Sequence, residues 1–152
     1  MSLFLIVIAY VYLASVSIVL TLIDVRSHRL PNAIVLPSYA VLAMLFTGAC
    51  LFGAPWQNLL RAIRSGGMGG GDVKLAGVLG AALGWIGWGS LVVGAFAAFL
   101  IGGLVGLALI ATRRASRTTS IPFGPFMLVG AWIGIAVGEP LSRGYLTLLG
   151  IG

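Results

Sequence analysis

Uncharged apolar runs broken by short polar clusters set the first reading of this chain. Leu3 to Ile23 is 21 residues without a charge, about long enough to cross a hydrocarbon layer at ~1.5 Å per helical residue. A second such run, Ala33 to Gly53, is entered through Leu30-Pro31-Asn32, where proline disfavours helical geometry in the residue before it and so marks a loop-to-helix boundary. Leu75 to Ala111 spans 37 uncharged residues, too many for one crossing. Trp85, Trp88 and Gly89 offer it an interfacial turn, so the pattern predicts a helical hairpin. Within it Gly94, Ala98, Gly102 and Gly106 recur every four residues, a small-residue face that lets a neighbouring helix approach closely. Ile121 to Gly138 is a final span, and Pro140 to Gly152 is too short to count as another. The expected fold class is all-α, a polytopic transmembrane helical bundle of five to six membrane segments, with residues 1–152 as a single integral-membrane domain.

Composition agrees with that class. The chain is 60% hydrophobic and 8% charged, with a mean hydropathy of +1.13, values suited to lipid as solvent. Its net charge of +6 would suggest nucleic acid in a soluble domain, but the basic residues punctuate apolar runs instead of forming one stripe. They report topology and contact with anionic lipid, and nucleic acid is not an expected partner. No Lys or Arg precedes the first run, whereas Arg26 and Arg29 follow it. The positive-inside bias therefore places the N-terminus outside and Asp24 at the cytoplasmic end of a cell-membrane protein. The missing basic n-region argues against a cleaved signal peptide. Arg113, Arg114 and Arg117 mark a second cytoplasmic loop. A single cysteine, Cys50, allows neither an intramolecular disulfide nor a paired-cysteine zinc site, and is expected to pack.

Three carboxylates occur in the chain, and two of them, Asp24 and Asp72, stand at the margins of apolar runs. An ionisable group there is costly and is usually kept for a task. Asp72 follows the densest glycine cluster, Gly66-Gly67-Met68-Gly69-Gly70-Gly71, which permits unusual backbone angles and removes side chains so that another backbone can come close. Taken singly, Asp72 also suits a helix N-cap, and Asp24 suits a helix end paired with a neighbouring arginine. A phosphate cradle fits poorly, because the GxxxxGK[ST] pattern is missing and Asp72 would repel an anion. Together the two acids match the needs of an aspartyl protease, in which a carboxylate pair shares a proton and activates water. Glu139 lies in a late segment without such a setting. His28, near Asp24, reads as a loop residue, and Lys74 as a topology signal that also favours the ionised form of Asp72.

These residues resemble the type IV prepilin peptidases, aspartyl proteases of the inner membrane. Gly69-Gly70-Gly71-Asp72, continued by Val73-Lys74-Leu75, looks like their GxGD motif. Ile23-Asp24-Val25-Arg26, running on to Leu30-Pro31-Asn32, is similar to the segment that supplies the first catalytic aspartate. Ile121-Pro122-Phe123-Gly124-Pro125-Phe126 resembles a further family segment. The resemblance implies catalysis by Asp24 and Asp72, an active-site loop of Gly69, Gly70, Gly71 and Lys74, and no metal or other cofactor. It also implies prepilin or pseudopilin substrates whose leaders are cut at the cytoplasmic face. Larger members carry an N-terminal methyltransferase region that uses S-adenosylmethionine; this chain is expected to be a peptidase-only form.

Members of the family usually have a full third helix before the glycine loop, whereas Pro55 to Arg64 looks like one whose apolar middle is missing. For Asp24 and Asp72 to share a face, Ala33 to Arg64, 32 residues, must supply two crossings of ~22 Å each. Failing that, activity would be lost. Arg61, Arg64 and Lys74 around the glycine loop are expected to place Asp72 on the side of Asp24. Two other functions compete: a presenilin-like intramembrane protease, and a non-catalytic scaffold or proton-coupled carrier.

Overall fold

The computed structural model of the chain describes residues 1–27, 31–65, 71–112 and 123–150, and leaves aside the side chains of residues 27, 65 and 71–73. Six helices make up the described residues: α1 (Ser2–Ser27), α2 (Asn32–Leu51), α3 (Trp56–Ser65), α4 (Gly71–Ile86), α5 (Trp88–Ala111) and α6 (Gly124–Leu148). Four of them, α1, α2, α5 and α6, are long and apolar enough to cross a membrane. The all-α expectation therefore holds. Pro31 caps α2 in extended geometry, where its ring resists helix in the residue before it. The expected hairpin turns at Gly87, between α4 and α5.

Helix α4 is the centre of the bundle. Leu75, Val78, Leu79, Ala82, Leu83 and Trp85 are all buried, and a helix apolar on every side is one that neighbours surround. Trp85 stacks on Phe46 of α2, with ring centroids 4.3 Å apart and planes 10° from parallel. Tyr10 of α1 donates to the Ala82 carbonyl at 2.8 Å, which gives its hydroxyl a partner where water is scarce.

The small-residue face predicted on α5 meets a matching one on α6 that the sequence pattern had not suggested. A Cβ on Gly130 would lie 2.5 Å from the Ala98 nitrogen and 2.6 Å from the Gly94 carbonyl oxygen. One on Gly138 would lie 2.5 Å from Ser90 Cα. Gly130, Gly134 and Gly138 thus form the α6 half of the contact, and backbone proximity rather than interdigitated side chains joins the two helices.

Two stretches depart from expectation. Helix α6 runs through Pro140 to Leu148, so the supposed short tail is helical; a proline removes one backbone hydrogen bond but need not end a helix inside a packed bundle. Helix α3 has only 10 residues, roughly 15 Å. Its Arg61 donates through Nη1 to the carbonyl of Ile86 at 3.4 Å and through Nη2 to Asn58 Oδ1 at 2.9 Å. Arg61 therefore belongs at the C-terminal end of α4 and not around the glycine loop, because unpaired carbonyls at a helix end attract a guanidinium.

Candidate functional site

Contacts between helices sort the acids by end. At one end α1 finishes, α6 starts against it through Gly124 and Asp24, and α2 and α4 both start, joined by the Lys74 Nζ to Asn32 Oδ1 hydrogen bond of 3.0 Å. At the other end Glu139 of α6 lies against Gly87 and makes an ion pair of 3.4 Å with Arg143. Asp24 and the first turn of α4, which carries Asp72, thus share an end of the bundle, and the third carboxylate is at the opposite one. The crossing problem resolves through α2, which leads away from that end, and α4, which starts at it again.

Asp24 is 3% exposed, although it lies one turn from the end of α1. The start of α6 contributes to its cover, since Gly124 lies directly against the carboxylate. Phe123 N-caps that helix and its ring lies 5.3 Å from that of Phe99 on α5, while Pro125 presets the first helical turn. Gly124 is buried, so the segment noted in the sequence as Ile121 to Phe126 delivers a residue without a side chain to the flank of the carboxylate.

The start of α4 is held from a different side. Tyr39 of α2 donates to the Lys74 carbonyl at 2.7 Å, and Lys74 Nζ reaches Asn32. Two residues of α2 therefore grip Lys74, two positions after Asp72. Asn32 was visible as part of a motif, but Tyr39 gave no sequence signal, since its role depends on α2 and α4 lying parallel. Of the expected loop, Gly71 opens α4 and Lys74 faces Asn32. Gly69 and Gly70 lie outside the described residues, as do His28, Arg29 and the arginines at 113, 114 and 117.

Beside Asp24, an open apolar groove of about 740 Å³ runs between α1 and α6, with Ser17, Thr21, Leu22, Leu128 and Trp132 among its walls. Its hydroxyls are satisfied within the helix: Ser17 donates to Leu13 O at 2.7 Å and Thr21 to Ser17 O at 2.8 Å. The groove can therefore hold apolar matter without stranding a polar group.

The profile of the type IV leader peptidase family matches residues 11–107 of the chain. Among curated proteins, the prepilin leader peptidase/N-methyltransferase of Aeromonas hydrophila is 31% identical over 91% of this chain and 52% of its own length. The protein of that name from Pseudomonas aeruginosa is 33% identical over 86% of this chain and 50% of its own length, and that from Bacillus subtilis 30% over 88% and 57%. The chain thus spans about half the length of the curated relatives it matches. No solved structure matches it at a significant level.

Proposed function

Because the chain belongs to the type IV leader peptidase family, we propose that it is an integral-membrane aspartyl endopeptidase that removes leader peptides from type IV prepilin-like proteins, with Asp24 and Asp72 as the catalytic pair. The observation that carries this reading is the sorting of its acids: Asp24 is buried at the end of the bundle where α4 begins with Gly71 and Asp72, and Glu139 is far from both. The printed names of the relatives support leader peptides as the substrate.

In the proposed reaction one carboxylate is ionised and takes a proton from water as the oxygen attacks the scissile carbonyl. The protonated partner donates its proton to the carbonyl oxygen. Collapse of the tetrahedral intermediate breaks the C–N bond: the proton taken from water passes to the leaving amine, and one hydroxyl of the intermediate returns its proton to the partner carboxylate, which restores the pair. The two ionisations belong to the pair. Arg26, two residues after Asp24, together with Arg29 and the arginines at 113, 114 and 117, supports a cytoplasmic position for this end. We assign the peptidase activity to residues 1–152, acting as a single integral-membrane domain.

Co-expression with a prepilin from the same genome tests the proposal. Asp24→Asn and Asp72→Asn should each leave the protein inserted while leader removal falls by at least ~100-fold, as loss of an acid–base group predicts. Wild-type processing by the Asp72→Asn form would remove the mechanism. Cleavage inside a transmembrane segment in preference to a leader would favour the presenilin-like alternative.

A further inference from the structure

Gly124 lies so close to Asp24 that only a hydrogen fits between them. A Cβ built at position 124 would overlap Asp24 Oδ2 and stand 3.1 Å from its Cγ and 3.7 Å from its Cβ. Backbone geometry does not call for glycine here: the residue is helical and is not among the positive-φ glycines, Gly53 and Gly150. Space for the carboxylate is what the position requires.

Resting on the reading of Asp24 as catalytic, we infer that Gly124 is a positioning residue for leader cleavage, whose missing side chain forms the seat that fixes the Asp24 carboxylate at the end of the bundle where α4 begins. The identity of the atoms around each glycine separates this role from ordinary packing. At Gly130 and Gly138 the nearest atoms include the backbone of α5, so an added methyl pushes helices apart. At Gly124 the three nearest atoms all belong to the Asp24 side chain. An added methyl there displaces that carboxylate and does not meet the backbone of a neighbouring helix among its three nearest atoms. Helix α6 cannot simply retreat, because Phe123 is packed against Gly102, where a Cβ would meet its ring at 2.9 Å, and against Phe99. Moving a reacting group by ~1 Å costs on the order of 100-fold in rate.

The test compares wild type, Gly124→Ala, Gly130→Ala and Asp24→Asn as full chains in detergent, with a synthetic prepilin leader peptide as substrate. Gly124→Ala is expected to lower kcat by ~10- to 100-fold, with KM within about twofold of wild type and a thermal midpoint close to it. Labelling of Asp24 by a hydrophobic carbodiimide should rise, because the carboxylate has left its buried seat; this readout does not depend on turnover. If Asp24→Asn is inactive but Gly124→Ala cleaves and labels like wild type, the inference is overturned and the peptidase reading stands. A Gly124→Ala protein as unstable as Gly130→Ala would make Gly124 a packing residue and also overturn it. Undiminished cleavage by Asp24→Asn would end the reading of Asp24 as catalytic, and the inference with it.

Discussion

Lys74 Nζ lies 3.0 Å from Asn32 Oδ1 across 42 positions of sequence, joining the helix that follows the glycine loop to the helix that follows the first aspartate. With the bond from Tyr39 to the Lys74 carbonyl, it fixes the first turn of α4 against α2. Asn32→Ala and Lys74→Met remove a largely exposed contact, so stability should change by no more than ~0.5 kcal/mol, yet leader processing should slow several-fold because the turn carrying Asp72 is less fixed. A time course of co-expressed prepilin processing measures this, and unchanged rates in both variants would dismiss the latch.

Tyr39→Phe deletes a hydrogen bond at a half-buried site and keeps the ring. The expected loss is about 1 kcal/mol, read as a lower midpoint in detergent-mediated unfolding. A midpoint equal to wild type would mean that the Lys74 carbonyl finds another donor.

The glycines of α5 and α6 divide by what surrounds them. Gly130→Ala drives a methyl into the backbone of α5 and should cost about 1–3 kcal/mol or more, with less folded protein recovered. Nothing lies within 4 Å of a Cβ at Gly103 on the outer face of α5, so Gly103→Ala should be neutral or stabilising by up to ~1 kcal/mol. Thermal midpoints of the two variants measured side by side decide it; equal effects would contradict the packing described.

Phe46 is 1% exposed and stacked on Trp85, with Tyr10 at a centroid distance of 6.3 Å. Phe46→Ala should cost about 3–5 kcal/mol and quench less or shift the emission of Trp85, while Phe96→Ala, on the 66% exposed lipid side of α5, should cost far less. Comparable losses at the two positions would show that α2 and α4 are not joined through this stack.

Glu139 illustrates how a lone intramembrane-edge acid can have a structural task. Its carboxylate lies by Gly87, at the start of α5, where negative charge complements the helix dipole. Glu139→Gln should lower stability by up to ~1 kcal/mol and leave leader processing intact. Loss of processing without loss of stability would place Glu139 in the reaction.

Much of this protein was determined by the sequence alone. Charge-free runs of the right length dictate membrane helices, because unpaired backbone groups and charges are expensive in hydrocarbon. That logic located α1, α2 and α5 and the turn at Gly87, and the scarcity of carboxylates singled out Asp24 and Asp72. It undercounted α6, since a proline and a glutamate look like a terminus until Gly138 and Glu139 are seen against α5. Local pattern could not decide which ends meet. Arg61 looks like a neighbour of the glycine loop in sequence but caps α4 at its far end, and Tyr39 and Gly124 acquire their roles only from residues 35 and 100 positions away. Those roles come from shape and proximity between helices, and tertiary packing alone sets them, because a helix's own periodicity says which face is apolar and nothing about what stands opposite.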